Sequence, residues 1–407
     1  MKSLKEYLYH LITDEETQTS SPIENVRDQW VKAILGGVSF IYGFVVGQKA
    51  LGYKLGLLPR VRLPRPVISI GNLTWGGAGK TPLVELIVGY LKEKKIKPVV
   101  LTRGYMVRTF AFACEANLEP APPSLILEMA GRVLVSKRAN AKVLMVKQKR
   151  SLEKKGISDE GEMLKESLVG VPVLTGANRI KNAHEALKKY PVDVFILDDG
   201  FGHWKMARDL DIVAIDTTNP FGNEELIPRG ILREPLKALH RADLFVLTKT
   251  DFGNFQMDSI KEKLQLINPQ APIVETIHQA TGLTKMCESG NPEPLSFLNG
   301  KTVAALCSIA QPGSFWNLLN SLGADLRIMK SFQDHHVYER DDILDLLNLS
   351  WQKKVNILVT THKDAVKLKN FLQLFPKDFL LFSLKIKIKI TKGEDEFYGR
   401  ISRLLDR

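Results

Sequence analysis

The amino-acid sequence predicts an α/β protein with a doubly wound, mostly parallel sheet, a second, smaller α/β domain and an N-terminal helix that contacts a membrane. Three observations support this prediction. Short apolar runs typical of buried strands alternate with amphipathic helical segments along most of the chain. A glycine-rich turn joins one such strand to a helix. A long uncharged segment precedes that strand.

Composition sets the broad class of the protein. The chain has 407 residues, which is enough for two domains with separate cores. Hydrophobic residues at 44% and charged residues at 25% exclude a disordered, collagen-like or multi-span membrane protein. The formal charge of +12 favours anionic partners, whether nucleic acid, a nucleotide or an acidic lipid surface, and does not distinguish among them. The three cysteines lack CxxC spacing and no secretory signal is evident, so we expect a reducing, cytoplasmic environment.

The uncharged segment near the N-terminus is AILGGVSFIYGFVVG, residues 33–47. Its roughly 15 residues fall short of the roughly 20 that a spanning helix needs. We therefore interpret it as a helix lying in or dipping into the cytoplasmic leaflet. Aromatic side chains and the basic residues that follow would hold it there, namely Tyr42, Phe44, Tyr53, Arg60, Arg62 and Arg65. An ordinary buried helix explains the segment equally well.

Turn-rich stretches divide the chain. We predict a polar lead-in with the membrane helix over residues 1–55 and a nucleotide-binding domain over 56–255, with an insertion at about 106–157. A C-terminal α/β domain then covers 256–407. Near its end, KIKIKITK alternates isoleucine and lysine, which predicts an exposed edge strand.

The stretch GNLTWGGAGKTPL, Gly71 to Leu83, predicts a phosphate-binding loop between a strand and a helix. It departs from the strict pattern GxxxxGK[ST], because Thr74 occupies the position of the first glycine. Backbone amides of the loop can approach phosphate oxygens, the lysine can reach the β and γ oxygens, and the threonine hydroxyl can bind Mg²⁺. The residues expected to contact nucleotide are Thr74, Gly76, Gly77, Ala78, Gly79, Lys80 and Thr81.

A second acidic group for the metal follows another apolar strand. VDVFILDDGFGH places Asp198 and Asp199 at a predicted strand end, where ligands bind in open α/β sheets. One carboxylate can hold Mg²⁺ and the other can orient water or ligand. The motif TKTD, Thr248 to Asp251, resembles a guanine-reading strand end, but THKD at Thr361 to Asp364 repeats it. We interpret both as caps of helices or strand ends.

Four further segments carry groups suited to an acceptor with a hydroxyl and an anionic group. A carboxylate or imidazole can receive the hydroxyl proton, and arginines can bind the anion. The segments are SDEG with Asp159 and Glu160, NRIKNA with Arg179, LIPRGILREP with Arg233 and Glu234, and SFQDHHVY with Asp334, His335 and His336.

Taken in order, the motifs resemble those of the tetraacyldisaccharide 4'-kinase family, the lipid A 4'-kinases of Gram-negative bacteria. The resemblance runs from about residue 35 to 370 and rests on GNLTWGGAGKTP, LTRGY, SDE, ILDDGFGH, RDLDIVAID, LIPRGILREP, RADLFVLTK, SIAQPGSF, FQDHHVY and TTHKDAVKL. It implies transfer of the ATP γ-phosphoryl to the 4'-hydroxyl of a tetraacylated glucosamine disaccharide 1-phosphate. It also implies a location at the cytoplasmic face of the inner membrane.

Carried over by position, the resemblance implies that Asp159 is the general base and that His335 orients or tunes it. Lys80 belongs to the phosphate loop, Asp198 and Asp199 belong to the Mg²⁺ site, and Arg179, Arg233 and Glu234 line the active site. The expected partners are ATP, Mg²⁺, the lipid A disaccharide precursor and an anionic membrane surface.

Two other function classes remain open at this level. TKTD and the basic charge also suit a P-loop GTPase or metallochaperone-type switch protein. A nucleic-acid binder suits the charge but lacks aromatic interleaving or a known module, so no nucleic acid is expected.

Overall fold

A computed structural model describes residues 22–103, 159–252, 257–286, 292–309, 311–334 and 336–406, without the side chains of 22–27, 159, 160 and 162. The insertion predicted at 106–157 and residue His335 lie outside this description. The described residues belong to one compact unit.

Eleven strands of the described chain form one sheet, in the order β3-β2-β4-β1-β5-β6-β7-β11-β10-β8-β9. The strands are β1 (Val67–Gly71), β2 (Pro98–Thr102), β3 (Val173–Thr175), β4 (Val194–Asp198), β5 (Leu210–Asp216), β6 (Leu244–Thr248), β7 (Ile273–Lys285), β8 (Thr302–Cys307), β9 (Asp325–Ser331), β10 (Ile357–Thr361) and β11 (Leu380–Lys392).

Nine α-helices occur in the same described ranges. They are α1 (Pro22–Lys54), α2 (Lys80–Glu93), α3 (Asp159–Ser167), α4 (Arg179–Lys189), α5 (Met257–Ile267), α6 (Pro312–Ser321), α7 (Arg340–Gln352), α8 (His362–Leu368) and α9 (Glu394–Leu405).

The sheet is mostly parallel, as the alternation of strands and helices predicts. Only the β7–β11 pairing is antiparallel among the described strand pairs, and its register runs from Phe382 opposite Lys285 to Lys392 opposite Glu275. This long ribbon connects strands β1 to β6 to strands β8 to β10 within one sheet. The prediction of an α/β fold with a mostly parallel sheet is therefore confirmed.

Side chains of alternate residues along β4 belong to different apolar cores. Ile196 packs in a core with residues of α2 and α9, such as Leu83 and Phe397. Phe195 and Leu197 belong to the core that contains Ala183 of α4. Because successive side chains of a strand point to opposite faces, helices cover both faces of the sheet here. The carboxyl ends of the strands are left for polar groups.

The KIKIKITK stretch forms the second half of β11. Its lysines at 385, 387 and 389 are exposed and Ile388 is buried, as the alternation predicts. Residues 380–384 pair with β10, and residues from 382 to 392 pair with β7. Among the described strands the KIKIKITK residues therefore pair on one side only, which agrees with the edge interpretation.

Helix α1 is longer than the sequence interpretation allowed. It spans 33 residues, and Asp28–Lys54 is long and apolar enough to cross a membrane by length and composition. Most of its apolar side chains face solvent, including Phe40 at 78% exposure. The alternative of an ordinary buried helix is therefore wrong. The helix exceeds the uncharged segment because its flanking charged residues, such as Lys32 and Lys49, continue the same helix.

Helix α5 provides a matched test of core packing. Leu264 is fully buried in the core formed with β5 and β6, whereas Leu266 on the same helix is 86% exposed. Leu264→Ala should lower the free energy of unfolding by about 2–5 kcal/mol, because it removes buried methyl groups and leaves a cavity. Leu266→Ala should change it by less than about 0.5 kcal/mol. Urea denaturation of both variants measures the difference, and equal shifts would contradict this packing.

Candidate active site

The predicted phosphate loop lies between β1 and α2. Gly79 precedes α2 with a φ of 74° and Gly76 has a φ of 127°, which are backbone conformations that favour glycine. The amide of Asn72 donates to the carbonyl of Thr74 at 2.8 Å, and Lys80 Nζ donates to Asn72 Oδ1 at 2.9 Å. The Asn72 side chain therefore links the backbone of the loop to the side chain of Lys80. This role of Asn72 was not predicted from the sequence, although Asn72 directly follows the strand.

The two predicted acidic residues, Asp198 and Asp199, adopt different environments at the end of β4. Asp198 is buried and its Oδ2 accepts a hydrogen bond from Thr102 Oγ1 at 3.0 Å. The next residue, Asp199, has a backbone φ of 50°, which is a left-handed conformation. Nη1 of Arg179 donates to the carbonyl oxygens of both residues at 3.0 Å. Arg179 thus stabilises the turn that orients the two carboxylates.

The Asp199 carboxylate is surrounded by cations. Arg233 Nη1 lies 3.0 Å from both of its oxygens, and Lys80 Nζ lies 3.4 Å from Oδ1. Burial by itself raises the pKa of Asp199, but Lys80, Arg233 and Arg179 outweigh it and lower the pKa to about 2. The carboxylate is therefore ionised at neutral pH. We call Asp199 with these three cations the Asp199 cluster.

The segment that carries Arg233 runs alongside the phosphate loop. The backbone N–H of Trp75 donates to the carbonyl of Ile231 at 2.6 Å, and that of Arg233 donates to Leu73 at 2.9 Å. These backbone bonds bring Arg233 to Asp199 although the two residues are distant in sequence. Prediction from sequence could name Arg233 as a site residue but could not show this pairing.

Glu234 is buried beside the same loop. Its carboxylate accepts a hydrogen bond from Trp204 Nε1 at 3.1 Å and lies 2.9 Å from Arg241 Nη2. The Arg241 guanidinium also packs over the rings of Trp204 and Phe201, at 3.9 and 4.3 Å from their centroids. Glu234 therefore fixes the positions of Trp204 and Arg241 beside the loop. Trp204 and Arg241 were not singled out from the sequence.

A cavity of about 560 Å³ extends from the Asp199 cluster to helix α1. It has four basic lining residues and two acidic ones, so its surface favours an anionic ligand. The lining includes Tyr42, Val46 and Lys49 of α1, Asn72 and Trp75 of the loop, and Arg103, Arg179, Asp199, His203, Trp204, Arg233 and Glu234.

Helix α1 contacts the site through one polar face. Tyr42 Oη donates to the carbonyl of Arg233 at 2.8 Å, and Ser39 Oγ donates to the carbonyl of Leu226 at 2.8 Å. The Arg229 N–H donates back to Ser39 Oγ at 2.8 Å. The sequence interpretation placed Tyr42 among the side chains that hold the helix in lipid. That placement is wrong, because the tyrosine hydroxyl is bound to the segment beside the loop.

The two TKTD-like motifs are strand-end and helix-cap structures. Lys249 is buried and pairs with Asp216 at 2.5 Å. Thr361 is the N-cap of α8 and accepts a hydrogen bond from the backbone N–H of Asp364. These contacts agree with the interpretation of both motifs as caps.

The predicted general base, Asp159, lies on helix α3, and the structure describes the backbone of that helix. Asp159 is the first residue of α3, and α3 packs against α2, the helix that begins at Lys80. The side chain of Asp159 and all of His335 lie outside the described residues. Their roles stay predictions.

Comparisons with known proteins identify relatives of the chain. The family model described as tetraacyldisaccharide-1-P 4'-kinase matches residues 31–121 and 136–406. A tetraacyldisaccharide 4'-kinase of Halothermothrix orenii is 36% identical over 90% of this chain and 88% of its own length. One of Syntrophus aciditrophicus is 33% identical over 82% and 84%. A crystal structure from Aquifex aeolicus, solved with ATP, matches with a TM-score of 0.64 at 27% identity, over 92% of this chain and 99% of that one.

His203, in the wall of the cavity, predicts a pH dependence of stability. Burial, together with Arg179 and Arg208, lowers the pKa of His203 to about 4 from 6.5. The unfolded chain therefore binds a proton that the folded chain does not between those values, so stability is complete above pH 6.5 and falls as the pH approaches 4. Replacing the residue by His203→Asn should flatten this part of the curve. Chemical denaturation of both proteins between pH 4 and 7 measures it, and parallel curves would contradict the prediction.

Proposed function

The chain belongs to the tetraacyldisaccharide 4'-kinase family, and on that premise we propose how its residues share the reaction. Tetraacyldisaccharide 4'-kinase activity in lipid A biosynthesis is the function of the chain. The alternatives of a GTPase or metallochaperone-type switch and of a nucleic-acid binder give way to this function. The roles proposed for these residues rest on one observation. Lys80 and Arg233 both contact Asp199, in the wall of a cavity that reaches α1.

The phosphate loop is the proposed site of the ATP phosphates. The relative from Aquifex aeolicus was solved with ATP, and its fold matches 92% of this chain. Loop amides from Gly76 to Gly79 and the amino end of α2 favour phosphate oxygens. Lys80, which lies 3.4 Å from Asp199, would contact the β and γ oxygens of the bound nucleotide. Thr74 and Ala78 would contact the nucleotide through their backbones.

The donor set beside the loop fits Mg²⁺. An ionised carboxylate on Asp199, the carboxylate of Asp198 and the hydroxyl of Thr81 are hard oxygen ligands, which Mg²⁺ prefers. The ion, when bound, neutralises charge on the transferred phosphoryl group. Arg179 maintains the turn that presents both carboxylates, and Arg233, which contacts Asp199, would bind phosphoryl oxygens.

The acceptor is the 4'-hydroxyl of a tetraacylated glucosamine disaccharide 1-phosphate, and the cavity is its proposed binding place. Lys49, Arg103 and Arg179 line the cavity and can bind a phosphate or sugar oxygens. Val46 and the aromatic ring of Trp75 offer apolar surface for the sugar faces and the nearest acyl carbons. Because α1 forms one wall, a lipid can enter from the bilayer with its acyl chains still in contact with the membrane.

Asp159 is the proposed general base, with His335 orienting or tuning it. Phosphoryl transfer needs positioning and charge neutralisation more than covalent help from the protein. One carboxylate beside the hydroxyl is sufficient to accept its proton. The packing of α3 against α2 supports this role, because it brings the helix that begins with Asp159 to the helix that begins with Lys80.

The protein is proposed to lie at the cytoplasmic face of the inner membrane. Exposed apolar side chains of α1, such as Phe40 and Phe44, provide contact with lipid, and the exposed arginines at 60, 62 and 65 provide contact with anionic head groups. We further propose a P-loop NTPase-like, doubly wound domain over residues 56–255 and a smaller α/β domain over 256–407, both contributing to the acceptor side.

The proposal predicts the kinetics of two substitutions. In detergent, with labelled ATP, Mg²⁺ and the disaccharide 1-phosphate lipid, the protein should add one phosphate to the lipid. Lys80→Ala should abolish turnover. Asp159→Ala should lower kcat by roughly a hundredfold or more, with ATP affinity changed less than about threefold, because a general base acts only on the acceptor proton.

The control is Asp258→Ala, which removes an exposed aspartate from the first turn of α5 and should retain full activity. A normal kcat for Asp159→Ala would remove the base assignment. No phosphorylation of the lipid by the unsubstituted protein would remove the proposal as a whole.

The exposed face of α1 predicts membrane binding. Replacing Phe40 and Phe44 together by serine should weaken binding to anionic vesicles by roughly tenfold or more, since two aromatic side chains no longer enter the interface. Trp351→Ser, at an exposed aromatic residue of α7, is the matched control and should bind normally. Vesicle co-sedimentation measures both, and unchanged binding of the Phe40 and Phe44 variant would show that another surface anchors the protein.

A further inference from the structure

Helix α8, which begins at the THKD motif, contacts the segments that carry both proposed acceptor-side residues. It packs against α3, whose first residue is Asp159. Just beyond its C-terminus, Lys369 Nζ lies 2.6 Å from a carboxylate oxygen of Glu166 on α3. The capping role of the motif accounts for the start of this helix but does not account for these contacts.

The same helix holds the residues on either side of position 335. Lys363 Nζ lies 2.7 Å from Asp334 Oδ1, and the lysine side chain is only 15% exposed. One turn later, Lys367 Nζ donates to the backbone carbonyl of His336 at 3.0 Å. His336 is also held from the other side, because its Nε2 lies 2.8 Å from Asp342 Oδ2.

A buried carboxylate attaches α8 to the sheet. Asp364 is fully buried, and its Oδ2 accepts hydrogen bonds from the Ser308 N–H at 2.9 Å and from Thr361 Oγ1 at 2.6 Å. Lys367 lies 3.6 Å from Asp364 Oδ1 and donates to Ser308 Oγ at 2.9 Å. Lys367, which holds residue 336, is thus itself fixed to the ends of β8 and β10, and Lys363 lies on the same helix. A buried ion pair of this kind orients its members strongly.

We propose that Lys363 and Lys367 of α8 are positioning residues, which set the place of the Asp334–His336 segment relative to the helix of Asp159. The inference rests on the proposed roles of Asp159 and His335. Asp334 and His336 are the chain neighbours of residue 335, so we expect loss of either contact to act on the reaction through that residue. Small displacements of such groups reduce the rate of the chemical step more than they reduce substrate binding.

Lys363→Met is the informative substitution, because it removes the pair with Asp334 and leaves the buried Asp364 with its own partners. It should lower kcat at least tenfold and leave the KM for ATP within about twofold. Lys363→Arg should restore most of the rate, since a guanidinium can also pair with Asp334. Lys261→Met is the matched control: Lys261 pairs with Glu275 at 2.6 Å on another part of the sheet and should show a normal rate.

A double-mutant cycle separates positioning from general damage. In a His335→Ala background, Lys363→Met should cause no further loss of kcat, because its effect acts through residue 335. Thermal unfolding of each variant verifies that it is folded at the assay temperature. Losses that multiply, or a normal kcat in Lys363→Met, would overturn the inference. A fully active His335→Ala single variant would instead remove the proposed role of His335, and with it the reason for positioning that segment.

Discussion

The site depends on one partly buried carboxylate. Asp199 faces Lys80, Arg179 and Arg233, which come from three segments distant in sequence. Without its negative charge these three cations would repel one another in a partly buried place. Asp199 also sits in a left-handed backbone conformation that places its side chain toward the phosphate loop. The negative charge that holds these segments together also makes the carboxylate a suitable ligand for a metal ion. One side chain can therefore serve both the stability of the site and its chemistry.

A second constraint is the short connection between the apolar helix α1 and the phosphate loop. Tyr42 and Ser39 of α1 hydrogen-bond to the segment at 226–233, and that segment pairs through its backbone with the loop at Leu73 and Trp75. Only one strand-like segment therefore separates the apolar helix from the phosphate loop. This arrangement suits a kinase whose acceptor keeps its acyl chains in a bilayer, because the reacting hydroxyl must reach the nucleotide while the rest of the lipid stays behind.

Much of the fold was predictable because strands and helices have distinct periodicities. The glycine-rich turn predicted between a strand and a helix lies between β1, which ends at Gly71, and α2, which begins at Lys80. The length of helix α1 was predicted less well. The prediction used the uncharged segment, whereas the helix continues through charged residues on both sides of it. Its length and the inward direction of Tyr42 depend on neighbours that periodicity does not reveal.

The amino-acid sequence by itself determined the α/β class, the glycine-rich turn between a strand and the helix of Lys80, and the place of Asp198 and Asp199 at the end of a strand. These features rest on local patterns of apolar, glycine and acidic residues. Only the tertiary structure decided that Arg233 pairs with Asp199, that Asn72 binds the loop lysine and that one small helix contacts both acceptor-side segments. Such contacts join residues far apart in the chain. Their partners are set by strand order and packing, which no short stretch of sequence specifies.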